Sequence, residues 1–155
     1  MARKDHRGRS VGGDRYVRLF HYMTNSEAWR SLGAVARALY VEIARRYMGS
    51  NNGRIPYSVR EGAENLNVGK ATVMRALKKL EDHGFIVPTK IGAFSLKARH
   101  ATEWQLTEFP CNLTNAAVAT KEFVRWQQPG GSLATAPHRG RVASPVPGNL
   151  RVYPQ

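Results

Sequence analysis

The sequence is short of cysteine, of acidic side chains and of long apolar runs, and each shortage removes a class of protein. Cys111 is the single cysteine. Neither an intrachain disulfide nor a CxxC metal site can form, in keeping with a reducing compartment. No stretch approaches about 18 consecutive apolar residues, and the N-terminus has no apolar signal-like core, so no membrane partner is expected and the chain reads as soluble and cytoplasmic. The histidines at 6, 21, 83, 100 and 138 are scattered, without an HxxxH or His/Cys pair at ligand spacing. A phosphate-cradling GxxxxGK loop, a GxSxG turn and a carboxylate cluster for magnesium are all missing. Gly12-Gly13 and Gly130-Gly131 sit in polar stretches and not after strands, so they read as linkers. These gaps argue against an enzyme and imply no cofactor and no metal.

Against 11 Asp/Glu stand 24 Lys/Arg, a formal charge of +13 with pI near 10.6. An anionic partner is the default expectation for such a chain. The excess is spread: six Lys/Arg against two Asp/Glu in residues 1–23, thirteen against eight in 24–110, and five against one in 111–155. A basic centre therefore has two basic flanks.

The strongest local signal is residues 58–84, SVREGAENLNVGKATVMRALKKLEDHG. Ser58 and Glu61 have the spacing of a capping box, which would start a helix. Val59, Ala63 and Leu66 then form one apolar stripe. Asn67-Val68-Gly69 breaks the helix, because Asn and Gly tolerate the left-handed backbone of a sharp reversal. Val73, Leu77 and Leu80 give the stripe of a second helix, and Gly84 is its natural stop. At about 100° per residue, Ala71, Arg75, Lys78 and Asp82 lie opposite that stripe, with Thr72, Met74 and Lys79 flanking them. His83 falls at the helix C-terminus, where the macrodipole favours a charged imidazole. On these residues alone, a helical hairpin with a solvated basic face competes with a DNA reader.

After Gly84, Phe85-Ile86-Val87 reads as a strand, and Thr102 to Thr107 alternates with period two. The loop between them carries Lys90, Lys97, Arg99 and His100. Upstream, Leu32, Ala36, Leu39, Ile43 and Tyr47 mark a helix over 33–48, with Tyr40 and Tyr47 as core or boundary aromatics. Gly49 to Gly53 is a turn, and Arg54-Ile55-Pro56-Tyr57 a short strand whose proline confines it to an edge. Ser26, Trp29 and Leu32 suggest a further short helix.

In this order residues 33–107 resemble a winged helix-turn-helix domain of the MarR and GntR kinds. The phrase TVMRALKKLEDHGFI (72–86) is similar to their recognition helix running into the first wing strand. Ala63, Leu66, Val68, Val73 and Ala76 meet the helix-turn-helix apolar spacing, and Asn67 departs from the glycine usual in the turn. An NNGRI-like turn and strand before two reading helices is also similar to N-terminal domains of some phage replication proteins. The resemblance covers about half the chain. It implies an α+β fold, a three-helix core with a short β-sheet wing. It also implies double-stranded DNA as partner.

On that reading Lys70, Ala71, Thr72, Met74, Arg75, Lys78 and Lys79 approach bases or adjacent phosphates. Lys90, Lys97 and Arg99 hold phosphates from the wing, and Ser58 and Arg60 contact the backbone. The expected role is a sequence-specific transcriptional regulator associated with the nucleoid. A phage or plasmid replication or excision factor remains an alternative, and an RNA- or ribosome-associated protein a more distant one, since no aromatic stacking platform is evident.

Composition divides the chain further. Residues 1–15 are a flexible basic arm, 16–110 the winged domain, and 111–127 a docking or dimerisation helix with Phe123 and Trp126. Residues 128–155, rich in Pro and Gly, are expected to be disordered. A homodimer would pair through 16–32 or 111–127.

Overall fold

The computed structural model describes residues 15–94, 99–114 and 117–129. The basic arm at 1–14, Lys97 and the tail from 130 onward thus lie outside the described residues. The chain is α+β, with five helices and a small three-stranded antiparallel sheet among the described residues. The helices are α1 (His21–Thr24), α2 (Glu27–Ser31), α3 (Ala34–Ala44), α4 (Val59–Leu66) and α5 (Lys70–Asp82). Strands β1 (Ile55–Pro56), β2 (Ile86–Lys90) and β5 (Glu103–Leu106) make the sheet in the order β1-β5-β2. A second, two-stranded ladder pairs β3 (Ala93–Phe94) with β4 (Arg99–His100).

Helix α3 begins and ends inside the predicted 33–48, and its buried face is Ala36, Leu39, Tyr40 and Ile43. That face and the buried row of α5, Val73, Ala76, Leu77 and Leu80, belong to one continuous core. Helix α4 meets this core differently from its apolar stripe. Val59, Ala63 and Leu66 are only partly buried, and the fully buried residue is Gly62. A Cβ on Gly62 would lie 2.8 Å from Val73 Cγ1 and 3.2 Å from both Leu39 Cδ1 and Tyr57 Cε1. The missing side chain is what lets α4 close on α5.

Asn67 takes the left-handed backbone expected of it, with φ 52° and ψ 47°. The N–H of Val68 then donates to the Ala63 carbonyl at 3.1 Å, ending α4 within one residue of the turn. Helix α5 stops in a Schellman arrangement at Gly84, where Phe85 N–H reaches Leu80 O and Gly84 N–H reaches Glu81 O, each at 2.9 Å. The capping box is only half made. Ser58 Oγ accepts from Glu61 N–H at 3.2 Å, but the Glu61 carboxylate pairs with the Arg46 guanidinium. A full charge competes better for that carboxylate than a backbone N–H does.

The last strand among the described residues, β5, is the centre of the sheet. Ile55 pairs with Trp104 on one side of β5, and Ile86 pairs with Leu106 on the other. Pro56 stands on the outer strand, where its missing N–H leaves no ladder bond unmade. Between Pro88 and Lys90 the register shifts, and the Thr89 hydroxyl lies 2.6 Å from Gly53 O and 3.0 Å from Glu103 O.

Residues 111–127 differ from the expected helix. The described parts, 111–114 and 117–127, lie outside α-helix and strand and make one 3₁₀ turn, Glu122–Val124. Phe123 inserts into the core at 1% exposure and stacks on Phe85, with centroids 4.8 Å apart and rings 6° from parallel. Trp29 from α2 meets both Tyr40 and Phe85 edge-on, at 5.5 and 5.6 Å. The packed unit therefore continues past residue 110 to Trp126. Trp29, Leu32 and Phe123, the apolar anchors of the two segments considered for dimerisation, are buried in the chain's own core.

Candidate nucleic-acid interface

The sequence places one candidate face on α5, and the packing behind that helix decides what it presents. With Val73, Ala76, Leu77 and Leu80 turned inward, Lys70, Ala71, Met74, Arg75, Lys78 and Lys79 are exposed, and Thr72 is half-buried. These cations are not equivalent. Lys78 Nζ lies 2.6 Å from Asp82 Oδ1 one turn along, in a pair exposed on both sides. Such a pair is worth little in water and yields readily to a phosphate. Lys70 and Arg75 have no carboxylate partner among the described residues. Their charges are available without breaking anything.

Lys79 departs from the expected set. Its ammonium donates to the Ser31 carbonyl at 2.8 Å, at the C-terminal end of α2. Arg37 from α3 completes the same cap, with Nε 3.2 Å from Trp29 O and Nη2 2.9 Å from Arg30 O. Three successive carbonyls of a short helix are thus held by cations from two other helices, which suits the negative end of its dipole. Lys79 is a structural clamp between α5 and α2. Only the tertiary arrangement reveals it, because Ser31 is 48 residues away.

His83 also departs from expectation. Its ring stacks on Trp126, with centroids 4.1 Å apart, and only 7% of the residue is exposed. Burial pushes the imidazole below its ordinary range, with repulsion from Lys79 second. Together these outweigh the backbone hydrogen bond with Lys79 and the charge of Asp82, which act in the opposite direction. The unfolded chain takes up its proton near pH 6.5. Stability from His83 is whole above that pH and is lost as the pH falls from there toward the lower folded value. The thermal midpoint should therefore drop between pH 7.5 and 5.5 by more in the wild type than in His83→Phe, which keeps the stack without the titration. Equal drops would show that His83 is not responsible.

On the sheet side, the described residues of the expected set are Lys90 and Arg99. Lys90 ends β2 exposed, with Nζ 3.9 Å from Glu103 Oε1 across the ladder. Arg99 lies in β4, so the segment expected as a loop carries a strand pair of its own. At the start of α4, Ser58 uses its oxygen on the Glu61 N–H, leaving only its hydroxyl proton to donate. Arg60 Nε binds Glu64 Oε1 at 2.9 Å, and both side chains are largely exposed. The α5 face thus carries cations without a carboxylate partner among the described residues, whereas Ser58 and Arg60 are each engaged locally.

Among the described residues no three metal-ligating side chains gather in one place, and no helix is long and apolar enough to cross a membrane. Tyr22 donates to Glu108, a carboxylate at 5% exposure, which burial pushes above the usual range. This pair ties α1 to the end of β5 and stands apart from α5. No protein-family model, no curated protein and no solved structure matches the chain.

Proposed function

We propose that this chain is a winged helix-turn-helix DNA-binding protein that reads double-stranded DNA with α5 and regulates transcription at specific sites on the nucleoid. It acts by binding and not by catalysis. One observation carries this reading: α5 is held from behind by α3 and α4 while Lys70, Ala71, Met74 and Arg75 face outward with no acidic partner among the described residues. A helix of that make-up, supported by a second helix across a tight turn, suits the major groove. The antiparallel β2–β5 pair that follows is the element a wing requires. The net charge of +13 supplies the nonspecific attraction to phosphate.

Arg75 is the residue placed to read a base. It is exposed in the second turn of α5, and its planar fork matches the edge of guanine, a contact that discriminates by about 1–3 kcal/mol. Arg75→Ala should therefore weaken binding to a duplex selected by the protein from a random pool about 5- to 150-fold more than binding to random duplex. Titrations of both duplexes at one salt concentration measure this. Equal weakening would reduce Arg75 to a phosphate clamp, and no binding of any duplex by the wild type would remove the reading.

A further inference from the structure

The cations on the outward face of α5 are accounted for by phosphate and guanine, but Met74 is not. It is 59% exposed, with Lys70 one turn before it, Lys78 one turn after it and Ala71 beside it, all exposed. A helix that only held phosphates would gain nothing from a bare thioether there, since Lys or Gln matches Met in helix propensity and suits water better. Ala71 adds no bulk beyond Cβ, so the helix can approach a groove floor closely at that point.

In the major groove a flexible apolar side chain has one distinctive target. Thymine alone among the four bases presents a methyl group there. Methionine suits that target, because its unbranched, polarizable chain adapts to an apolar contact at small cost. Building on the reading of α5 as a duplex reader, we infer that Met74, seated beside Ala71, selects thymine by packing against its 5-methyl group. The binding site of this protein then includes thymines whose methyl groups are required. Arg75 and Met74 divide the work between a guanine edge and a thymine methyl.

The test replaces thymines with deoxyuridine, which keeps the base pair and deletes only the methyl. A duplex is first selected from a random pool with the full chain, and each thymine is then replaced in turn while affinity is followed by fluorescence anisotropy. In the wild type, one or two positions should each lose about fourfold in affinity, the effect of one buried methyl. Met74→Ala should lose that sensitivity at those positions and bind the thymine and uracil duplexes within twofold of each other. Met74→Leu, which retains an apolar side chain, should keep the penalty. Both variants replace an exposed side chain, so their thermal midpoints should match the wild type.

If the pool yields no enriched sequence, the duplex reading falls and this inference falls with it. If a sequence is enriched but every thymine can be replaced without loss, this inference alone is overturned. Met74→Ala retaining the wild-type penalties, or Met74→Leu abolishing them, overturns it equally.

Discussion

Phe123→Ala is expected to lower the free energy of unfolding by about 3–5 kcal/mol, the range for removing a buried aromatic ring. The ring is 1% exposed and lies parallel to Phe85, which in turn meets Trp29 and Tyr40 edge-on. Deleting it leaves a hole in the middle of an aromatic cluster that joins α2, α3 and the start of β2. The surroundings can collapse only poorly, because the strap carrying Phe123 crosses over Gly84. A Cβ on Gly84 would lie 2.9 Å from the Phe123 nitrogen and from the Glu122 carbonyl carbon. Lys121 N–H also donates to Thr107 O at 2.9 Å, fixing the strap on its other side. Urea unfolding of the wild type and the variant measures the loss. A change below about 1 kcal/mol would mean that residues 117–126 rest on the domain without being part of its core.

Asn52→Ala should cost a similar amount, about 3–4 kcal/mol, through unmet hydrogen bonds instead of a cavity. Asn52 is fully buried. Its Oδ1 accepts from Leu106 N–H at 2.7 Å, and its Nδ2 lies within 3.0 Å of the carbonyls of Leu106, Phe109 and Pro110. The side-chain amide continues the β1–β5 ladder on β5 beyond Ile55. The backbone of Asn52 makes a reciprocal pair with Asn112, N–H to Oδ1 at 2.8 Å and carbonyl to N–H at 3.0 Å. Truncation to alanine strands a buried donor and several buried acceptors, each costing about 1–3 kcal/mol before local rearrangement. Asn52→Asp is the sharper variant, because it keeps the acceptor for Leu106 but turns the donor face into a charge against three carbonyls. It should destabilise at least as much as alanine at pH 7. Urea midpoints of both variants within the error of the wild type would show that water replaces the amide there.

Residues 58–84 were legible as a helix, a tight reversal and a second helix because each step depends on neighbours a few positions away. Apolar spacing chose the buried row of α5, Asn67 tolerated the left-handed turn, and Gly84 ended the helix. Exposure of Lys70, Ala71 and Arg75 followed from the same 3.6-residue repeat. Pro56 likewise announced an edge strand by its missing donor. Periodicity could not say which cations on that face are free. Lys79 is drawn away by a carbonyl 48 residues distant, and Glu61 leaves its capping role for Arg46 on another helix. The ring that covers His83 belongs to Trp126, 43 residues along, which no local rule connects to a helix end. Asn52 looked like one more turn residue, since its four side-chain partners lie on β5 and the chain just after it, more than 50 positions ahead. The local backbone was decided by short-range sterics and hydrophobic repeat. The partners of charged and polar groups were decided by which surfaces meet, a question that exists only once the chain has folded.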